Sequence, residues 1–151
     1  MDQELLFEYI DGYRSCCKYH FKGNVNIILS APHGGNLLPD DVPDRTEGIC
    51  FQNQERCKTT VVKDTGTVEF TENVANELAT KWNFKPFIII GKWHRRKIDF
   101  NRDVLEGTLN HPETIIAYDN YHQNLNTAID CVNQLFGKGL LIDIHGHSQG
   151  K

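Results

Sequence analysis

Two histidines near the end of the sequence, His145 and His147, are separated by one glycine and follow the apolar run 140–144. The run is too short for a helix and rich enough in leucine and isoleucine to form a core strand. Residues two positions apart in an extended chain project from the same face, so both imidazoles can approach one metal ion. The alternative is a strand whose terminal histidines only meet solvent, and this motif alone leaves both interpretations open.

A third histidine, His33, follows a second apolar run at 25–29 and precedes Gly34 and Gly35. The two glycines remove side-chain bulk beside the imidazole, so a ligand or an ion can approach the backbone there. Binding sites of open α/β sheets lie beyond the carboxyl ends of the strands. His33 and His145 are therefore expected at one edge of a sheet, although a turn histidine without a role would show the same sequence.

An acidic residue, Asp64, precedes a segment in which apolar residues recur at helical spacing over 68–82. A carboxylate at this point commonly caps the helix that follows. It is equally suited to bind a metal ion or to orient one of the ligands of that ion. The sequence favours neither role over the other.

The most cationic segment of the chain, 92–97, follows a third apolar run at 86–90. Such a segment is usually a solvated face. In this chain it is part of a group of side chains suited to binding an acidic ligand, namely Arg95, Arg96, Asp99, Asn101 and Arg102. Arginine holds a carboxylate through two parallel hydrogen bonds, and asparagine supplies a further donor beside it. The segment therefore indicates a binding region for an acidic ligand at a strand end.

A sheet and covering helices are needed to position these residues, and the sequence predicts an α/β fold that supplies them. The three apolar runs predict core strands, and 114–136 predicts a long helix with one apolar stripe. Before that stripe, Tyr121 is explained by core packing, whereas His122 could point back toward the strand ends. Residues 36–60 show no periodicity and predict a long surface loop.

The composition fits a single folded domain of 151 residues, with 39% hydrophobic and 24% charged residues. A net charge of -4 argues against a general nucleic-acid binder, since that activity needs a sustained positive field. No apolar run is long enough to cross a membrane, and an acidic start unlike a signal peptide predicts a cytoplasmic protein. Five cysteines without zinc-type spacing indicate neither a disulfide framework nor a thiolate metal site.

Five motifs resemble those of the N-formylglutamate amidohydrolase family in order and spacing over residues 24–149. They are Pro32-His33-Gly34-Gly35, Lys63-Asp64-Thr65, Arg95 with Asp99-Phe100-Asn101-Arg102, Tyr118 with Tyr121-His122, and Asp143-Ile144-His145-Gly146-His147. Two of these segments are also similar, more distantly, to zinc carboxypeptidases. The resemblance implies a three-layer α/β/α fold with a mixed sheet, of the phosphorylase/hydrolase-like type, in one amidohydrolase-like domain over 1–151. It further implies a zinc-dependent hydrolase of amide bonds in N-acyl acidic amino acids or peptides.

Carried over by position, the resemblance makes His33 and His145 zinc ligands. Zinc carboxypeptidases place a glutamate three residues after the first histidine, where this chain has Asn36. Asp64 is expected to replace that glutamate as the third ligand, with Glu69 or His147 as the alternatives.

The resemblance also assigns the remaining roles. Arg95 would stabilise the oxyanion, and the acidic small-molecule substrate would be held by Arg96, Asn101, Arg102, Tyr121 and His122. In zinc carboxypeptidases the general base comes from a part of the chain after the final histidine motif, so the candidates for the base within this sequence are Asp64 and Glu69. Members of the family continue well beyond the final histidine motif, whereas this chain ends at Lys151. We therefore expect a C-terminally short domain with an exposed apolar strand edge and with weak or no turnover. The alternative function is a module that binds a metal and an acidic ligand without catalysis.

Overall fold

The structure, a computed structural model, describes residues 5–45 and 59–147. The strands in this described part are β1 (Ile10–Asp11), β2 (Cys17–His20), β3 (Ile27–Ala31), β4 (Phe87–Gly91) and β5 (Leu140–Asp143). The α-helices are α1 (Thr67–Trp82), α2 (Val104–Thr108) and α3 (Pro112–Phe136), and a 3-10 turn lies at Tyr13–Ser15.

The described strands form one mixed sheet in the order β1-β2-β4-β3-β5. β3, β4 and β5 run parallel, whereas β2 runs antiparallel to both β1 and β4. The carboxyl ends of the three parallel strands therefore meet at one edge of the sheet, where sites of α/β proteins form. These findings confirm the predicted α/β class and the mixed sheet.

The central strands bury alternate side chains against different helices. Along β4, Phe87 and Ile89 belong to a cluster with α3, whereas Ile88 and Ile90 belong to a cluster with α1. The buried helical residues in these clusters are Ala117, Tyr121, Ala128 and Val132 of α3, and Ala75 and Ala79 of α1. A continuous apolar run is required in a strand that is buried on both faces, which explains the composition of β4.

Both long helices form where their apolar periodicity predicts them. In the predicted stripe of α3, Leu125, Ile129 and Val132 pack in the core cluster, whereas Phe136 is 40% exposed at the end of the helix. α1 begins after Gly66, which has a φ of 85°. This left-handed conformation favours glycine, which carries no Cβ to clash with the backbone.

The final apolar run is a strand, as predicted. The apolar run suggested a core strand, which was wrong, whereas the expected exposed apolar strand edge is present. β5 is at the edge of the sheet and pairs only with β3 among the described strands. Leu140, Leu141 and Ile142 are 57%, 43% and 40% exposed. The clusters formed by α1 and α3 cover the central strands, so the side chains of β5 remain largely uncovered.

The predicted surface loop at 36–60 is only partly described, because 46–58 lie outside the described residues. In the described part, Val42 is 1% and Arg45 is 2% exposed, so this segment contributes to the core as well as to the surface. Cys16, Cys17 and Cys131 are free thiols, and the remaining two cysteines lie outside the described residues. None of the described helices is long and apolar enough to cross a membrane.

Candidate metal centre

Three segments at the carboxyl edge of the parallel strands bring His33, Asp64 and His145 together. His33 follows β3, His145 follows β5, and Asp64 lies in the segment before α1. One ligand atom from each of the three side chains lies within 4.8 Å of the others. The backbone links two of these segments directly, because the Asp64 amide donates to the His33 carbonyl at 2.9 Å.

Both imidazoles present the same nitrogen to the Asp64 carboxylate. Its Oδ2 atom lies 3.4 Å from Nδ1 of His33 and 3.5 Å from Nδ1 of His145. The opposite nitrogen of each ring, Nε2, bonds a second carboxylate at 2.6 Å, that of Asp99 for His33 and that of Asp143 for His145. A histidine that donates one N–H to a carboxylate leaves the lone pair of its other nitrogen for a metal ion. The arrangement therefore aims two ligand nitrogens at one point beside a carboxylate.

Asp99 is fully buried and holds His33 and Arg95 together. Its carboxylate accepts hydrogen bonds from His33, from Nε of Arg95 at 2.9 Å and from the backbone amide of Asn101 at 2.9 Å. Burial on its own would raise the pKa of Asp99, but the hydrogen bond and charge of His33, the charge of Arg95 and the Asn101 amide outweigh it. The pKa of Asp99 is consequently held well below its usual range, so the carboxylate is ionised.

Asp143 supports His145 in a more open environment. The side chains of His145 and Asp143 are 35% and 38% exposed. The Ser30 hydroxyl donates to Oδ1 of Asp143 at 2.5 Å, and the two residues are paired in the register of β3 with β5. The orientation of His145 thus depends on the pairing of an edge strand with its one described neighbour.

The Asp64 carboxylate belongs to the cluster and does not cap α1. The residue before α1, Gly66, makes no side-chain cap hydrogen bond, and the contact of Asp64 with the first turn is made by its carbonyl, which accepts from the Thr67 hydroxyl at 2.9 Å. Its carboxylate accepts from the Gly146 amide at 2.9 Å and lies 3.7 Å from Nη1 of Arg95. Of the two roles left open by the sequence, this geometry corresponds to metal binding or ligand orientation.

A pocket of about 470 Å³ opens beside the cluster and is lined by Thr60, Val62, Lys63, Asp64, Thr65, Arg95, Gly146 and His147. His147 therefore faces this pocket, outside the three-residue cluster. Glu69, on the first turn of α1, lines a different and smaller pocket together with Gly34 and Gly35. The structure thus places Arg95 and His147 in the pocket beside the cluster but leaves Glu69 apart from it.

The residues predicted to hold an acidic substrate do not line this pocket in the described structure. Arg96 is exposed and lies 3.6 Å from the carboxylate of Asp44. Arg102 lies 3.6 Å from Glu106, one helical turn away. Asn101 contributes its backbone amide to Asp99.

Tyr121 and His122 support the segment that carries Asp99. Tyr121 is buried and stacks on Phe100 with ring centroids 4.3 Å apart, and burial raises its pKa well above the usual value. His122 donates from Nε2 to the Phe100 carbonyl at 2.9 Å, and the Tyr118 hydroxyl donates to the Arg102 carbonyl at 2.6 Å. In this structure these side chains of α3 fix the backbone behind the site.

Arg45 is a structural residue of the site and was not among the predicted site residues. Its guanidinium donates to the carbonyls of Thr60 and Arg95 at 3.1 Å and 2.9 Å, and to that of Glu106 at 3.1 Å. Burial lowers the pKa of Arg45, and its Nη1 lies 3.9 Å from Asp99. The residue follows a proline and an aspartate in a stretch without periodicity, so no pattern in the sequence marks it as buried.

Comparisons of the chain with protein-family models, with curated proteins and with solved structures found no match. The assignment of a role to the site therefore depends on its chemistry. Two imidazole nitrogens and one carboxylate oxygen form a donor set of the kind found in catalytic zinc sites, which keep a further position for water or substrate. The carboxylates behind each histidine and the adjoining pocket also fit such a site, so the residues present are suited to zinc.

Proposed function

We propose that this protein is a zinc-dependent hydrolase that cleaves the amide bond of N-acyl acidic amino acids such as N-formylglutamate. The observation that carries the proposal is the convergence of Nδ1 of His33, Nδ1 of His145 and the Asp64 carboxylate at one point. Each histidine is already oriented for this role by a carboxylate on its other nitrogen.

We also propose a three-layer α/β/α fold of the amidohydrolase type. Alternation along β4 supports it, because successive residues pack in the clusters that contain α3 and α1. The parallel strands carry His33 and His145 to one edge, as a site in such a fold requires.

His33, Asp64 and His145 would hold the metal ion. When bound, zinc polarises the amide carbonyl and lowers the pKa of its water toward about 7. Arg95 lines the pocket and is fixed by Asp99, so its remaining donors can stabilise the negative charge that develops on the carbonyl oxygen. Removing one such donor typically costs about 3 kcal/mol of barrier. His147 lines the same pocket outside the ligand cluster and would accept the proton that the attacking water loses and donate it to the leaving amine.

A module that binds a metal and an acidic ligand without turnover is the second candidate. Asp64 is the one carboxylate among the described residues that line the pocket. Once Asp64 serves as a ligand, no second described carboxylate is placed to accept a proton there. General base catalysis typically contributes about 10²–10⁴-fold, so its loss would leave binding largely intact while turnover falls.

Zinc content and turnover separate these functions. The purified wild type is expected to hold about one zinc per chain, and His33→Ala and His145→Ala should each reduce that content because each removes a ligand. His111→Ala, a change at the start of α3 outside the cluster, is the matched histidine control.

Hydrolysis of N-formylglutamate would then be followed before chelation, after chelation and after zinc is restored. Zinc-dependent turnover supports the hydrolase, whereas zinc binding without turnover supports the binding module. An unchanged zinc content in both alanine variants would contradict both functions.

A further inference from the structure

Lys63 shares the pocket with the candidate metal ligand Asp64. The two residues are adjacent in sequence, and both line the pocket of about 470 Å³ together with Arg95 and His147. A ligand bound in this pocket beside Asp64 is therefore within reach of a lysine ammonium, which is carried on a flexible four-carbon stem.

The two cationic residues that line this pocket differ in how their charge is compensated. Arg95 donates to Asp99 at 2.9 Å and lies 3.7 Å from Asp64. Lys63 donates to the side-chain oxygen of Asn36, which is a neutral acceptor. No carboxylate in the described part of the chain forms an ion pair with Lys63, so its positive charge is available to an anion. An ammonium has three donors and retains capacity after binding one amide.

The arginines expected from the sequence to bind an acidic group are compensated differently. Arg96 is paired with Asp44, and Arg102 is paired with Glu106. An anionic ligand would have to compete with these carboxylates, and neither arginine lines the pocket. The uncompensated charge beside the cluster is that of Lys63.

We infer that Lys63 determines specificity for an acidic substrate, by binding the carboxylate of an N-acyl amino acid whose amide lies at the metal centre. The inference rests on the proposed function, because it takes the pocket beside Asp64 as the substrate site. It assigns to Lys63 the recognition of a carboxylate that the sequence pattern indicated for Arg102.

The test compares an acidic ligand with its neutral analogue on the zinc-loaded protein. N-acetylglutamate and N-acetylglutamine amide would be titrated by calorimetry into the wild type, Lys63→Gln, Lys63→Arg and Lys22→Gln. Lys22 is an exposed matched control, because it follows β2 at the end of the sheet opposite the site. Zinc content measured on each sample shows whether the metal centre is intact.

Lys63→Gln is expected to weaken binding of the acidic ligand about tenfold or more, since hydrogen bonds to charged groups are the strong ones. Binding of the neutral analogue and zinc content should change little, Lys63→Arg should restore much of the preference, and Lys22→Gln should resemble the wild type. Equal loss for both ligands in Lys63→Gln would overturn the inference. So would a Lys63→Gln variant that keeps the preference of the wild type, and this outcome leaves the proposed function standing. A zinc-loaded wild type that binds neither ligand contradicts the proposed function as well.

Discussion

The two histidines of the candidate metal centre bind carboxylates at the same distance but in opposite environments. On the His33 side, formed by His33, Asp99 and Arg95, the side chains are 3%, 0% and 9% exposed. On the His145 side, formed by His145, Asp143 and Ser30, the histidine and the aspartate are 35% and 38% exposed. One side is therefore built into the core, whereas the other is attached to the edge strand β5.

The difference implies that the same contact contributes differently to folding and to metal binding on the two sides. Removing one partner of a buried charge network leaves the others desolvated and unpaired, at a cost of about 3–5 kcal/mol. An exposed pair is screened by water and contributes about 0–1 kcal/mol. We infer that the His33 side is fixed when the domain folds, and that the His145 side completes the site with little effect on stability.

The largest expected effect is the loss of stability when Asp99 is neutralised. Asp99→Asn is expected to lower the free energy of unfolding by about 3–5 kcal/mol, because the buried Arg95 loses its nearest counter-charge and His33 loses its carboxylate. The matched change on the other side, Asp143→Asn, should cost about 1 kcal/mol or less. Urea unfolding of both variants measures the two costs.

Equal destabilisation by the two changes would show that burial does not separate the two sides. A large loss in Asp143→Asn alone would reverse the comparison and make the β5 edge the main source of stability.

The contrast between buried and exposed parts of the molecule also shows which elements could be predicted from the sequence. β4 and α3 were predicted because an apolar run and a helical stripe report directly on burial. β2 was not, because its sequence Cys17-Lys18-Tyr19-His20 has no apolar run, although the first and last of these residues are buried. The apolar run of β5 alone predicted a core strand, because such a run does not show what lies beside it, whereas the exposed strand edge was expected only from the resemblance.

Within the site, strand ends and a helix start made His33, Asp64 and His145 candidate ligands, with Glu69 and His147 as alternatives for the third position. The sequence did not show which cationic side chains are already paired and which are available to bind an anionic ligand. Arg102 carries a strong sequence signal for binding a carboxylate, yet Glu106 lies 3.6 Å away. Lys63 carries no such signal, yet in the described structure it has a neutral partner and faces the pocket. Glu106 is only four residues from Arg102, whereas Asn36 is 27 residues from Lys63, so the pairing of Lys63 depends on a contact between distant segments.

The second-largest expected effect is a loss of zinc affinity, and it concerns the His145 side alone. Ser30→Ala removes the hydroxyl that fixes Asp143, and Asp143 in turn orients His145. Mutation of a residue that hydrogen-bonds a metal ligand typically lowers metal affinity about 10–100-fold. We expect a loss of about tenfold for Ser30→Ala, because Ser30 acts on His145 through Asp143. Competition with a chelator measures the zinc affinity.

A control is needed because Ser30 is buried and its loss also affects stability. Thr71→Val removes another buried hydroxyl, one that bonds the Thr67 carbonyl within α1 at 2.7 Å. This variant should lose comparable stability and retain its zinc affinity. Unaltered zinc affinity in Ser30→Ala would mean that His145 is oriented without this chain of hydrogen bonds.

The smallest effect is a pH dependence of stability that arises on the His33 side, where His122 supports the Phe100 carbonyl next to Asp99. Burial lowers the pKa of His122, while its hydrogen bond to that carbonyl and the charge of Asp119 partly offset the shift. Because the pKa of the folded state lies below the unfolded value of about 6.5, the unfolded chain binds more protons in the window between them. The stability from a neutral His122 is therefore fully present above about pH 6.5 and is lost as the pH falls through the lower pKa of the folded state.

His122→Gln removes the titrating group and keeps a donor toward Phe100. The wild type should lose unfolding free energy between about pH 7.5 and 5, and we expect the variant to lose less. The difference should be below about 1 kcal/mol, since the side chain is partly solvated. His111→Gln, at the start of the same helix, should leave the wild-type pH dependence in place; the same reduction in both variants would locate the pH sensitivity in α3 generally and not at the support of the His33 side.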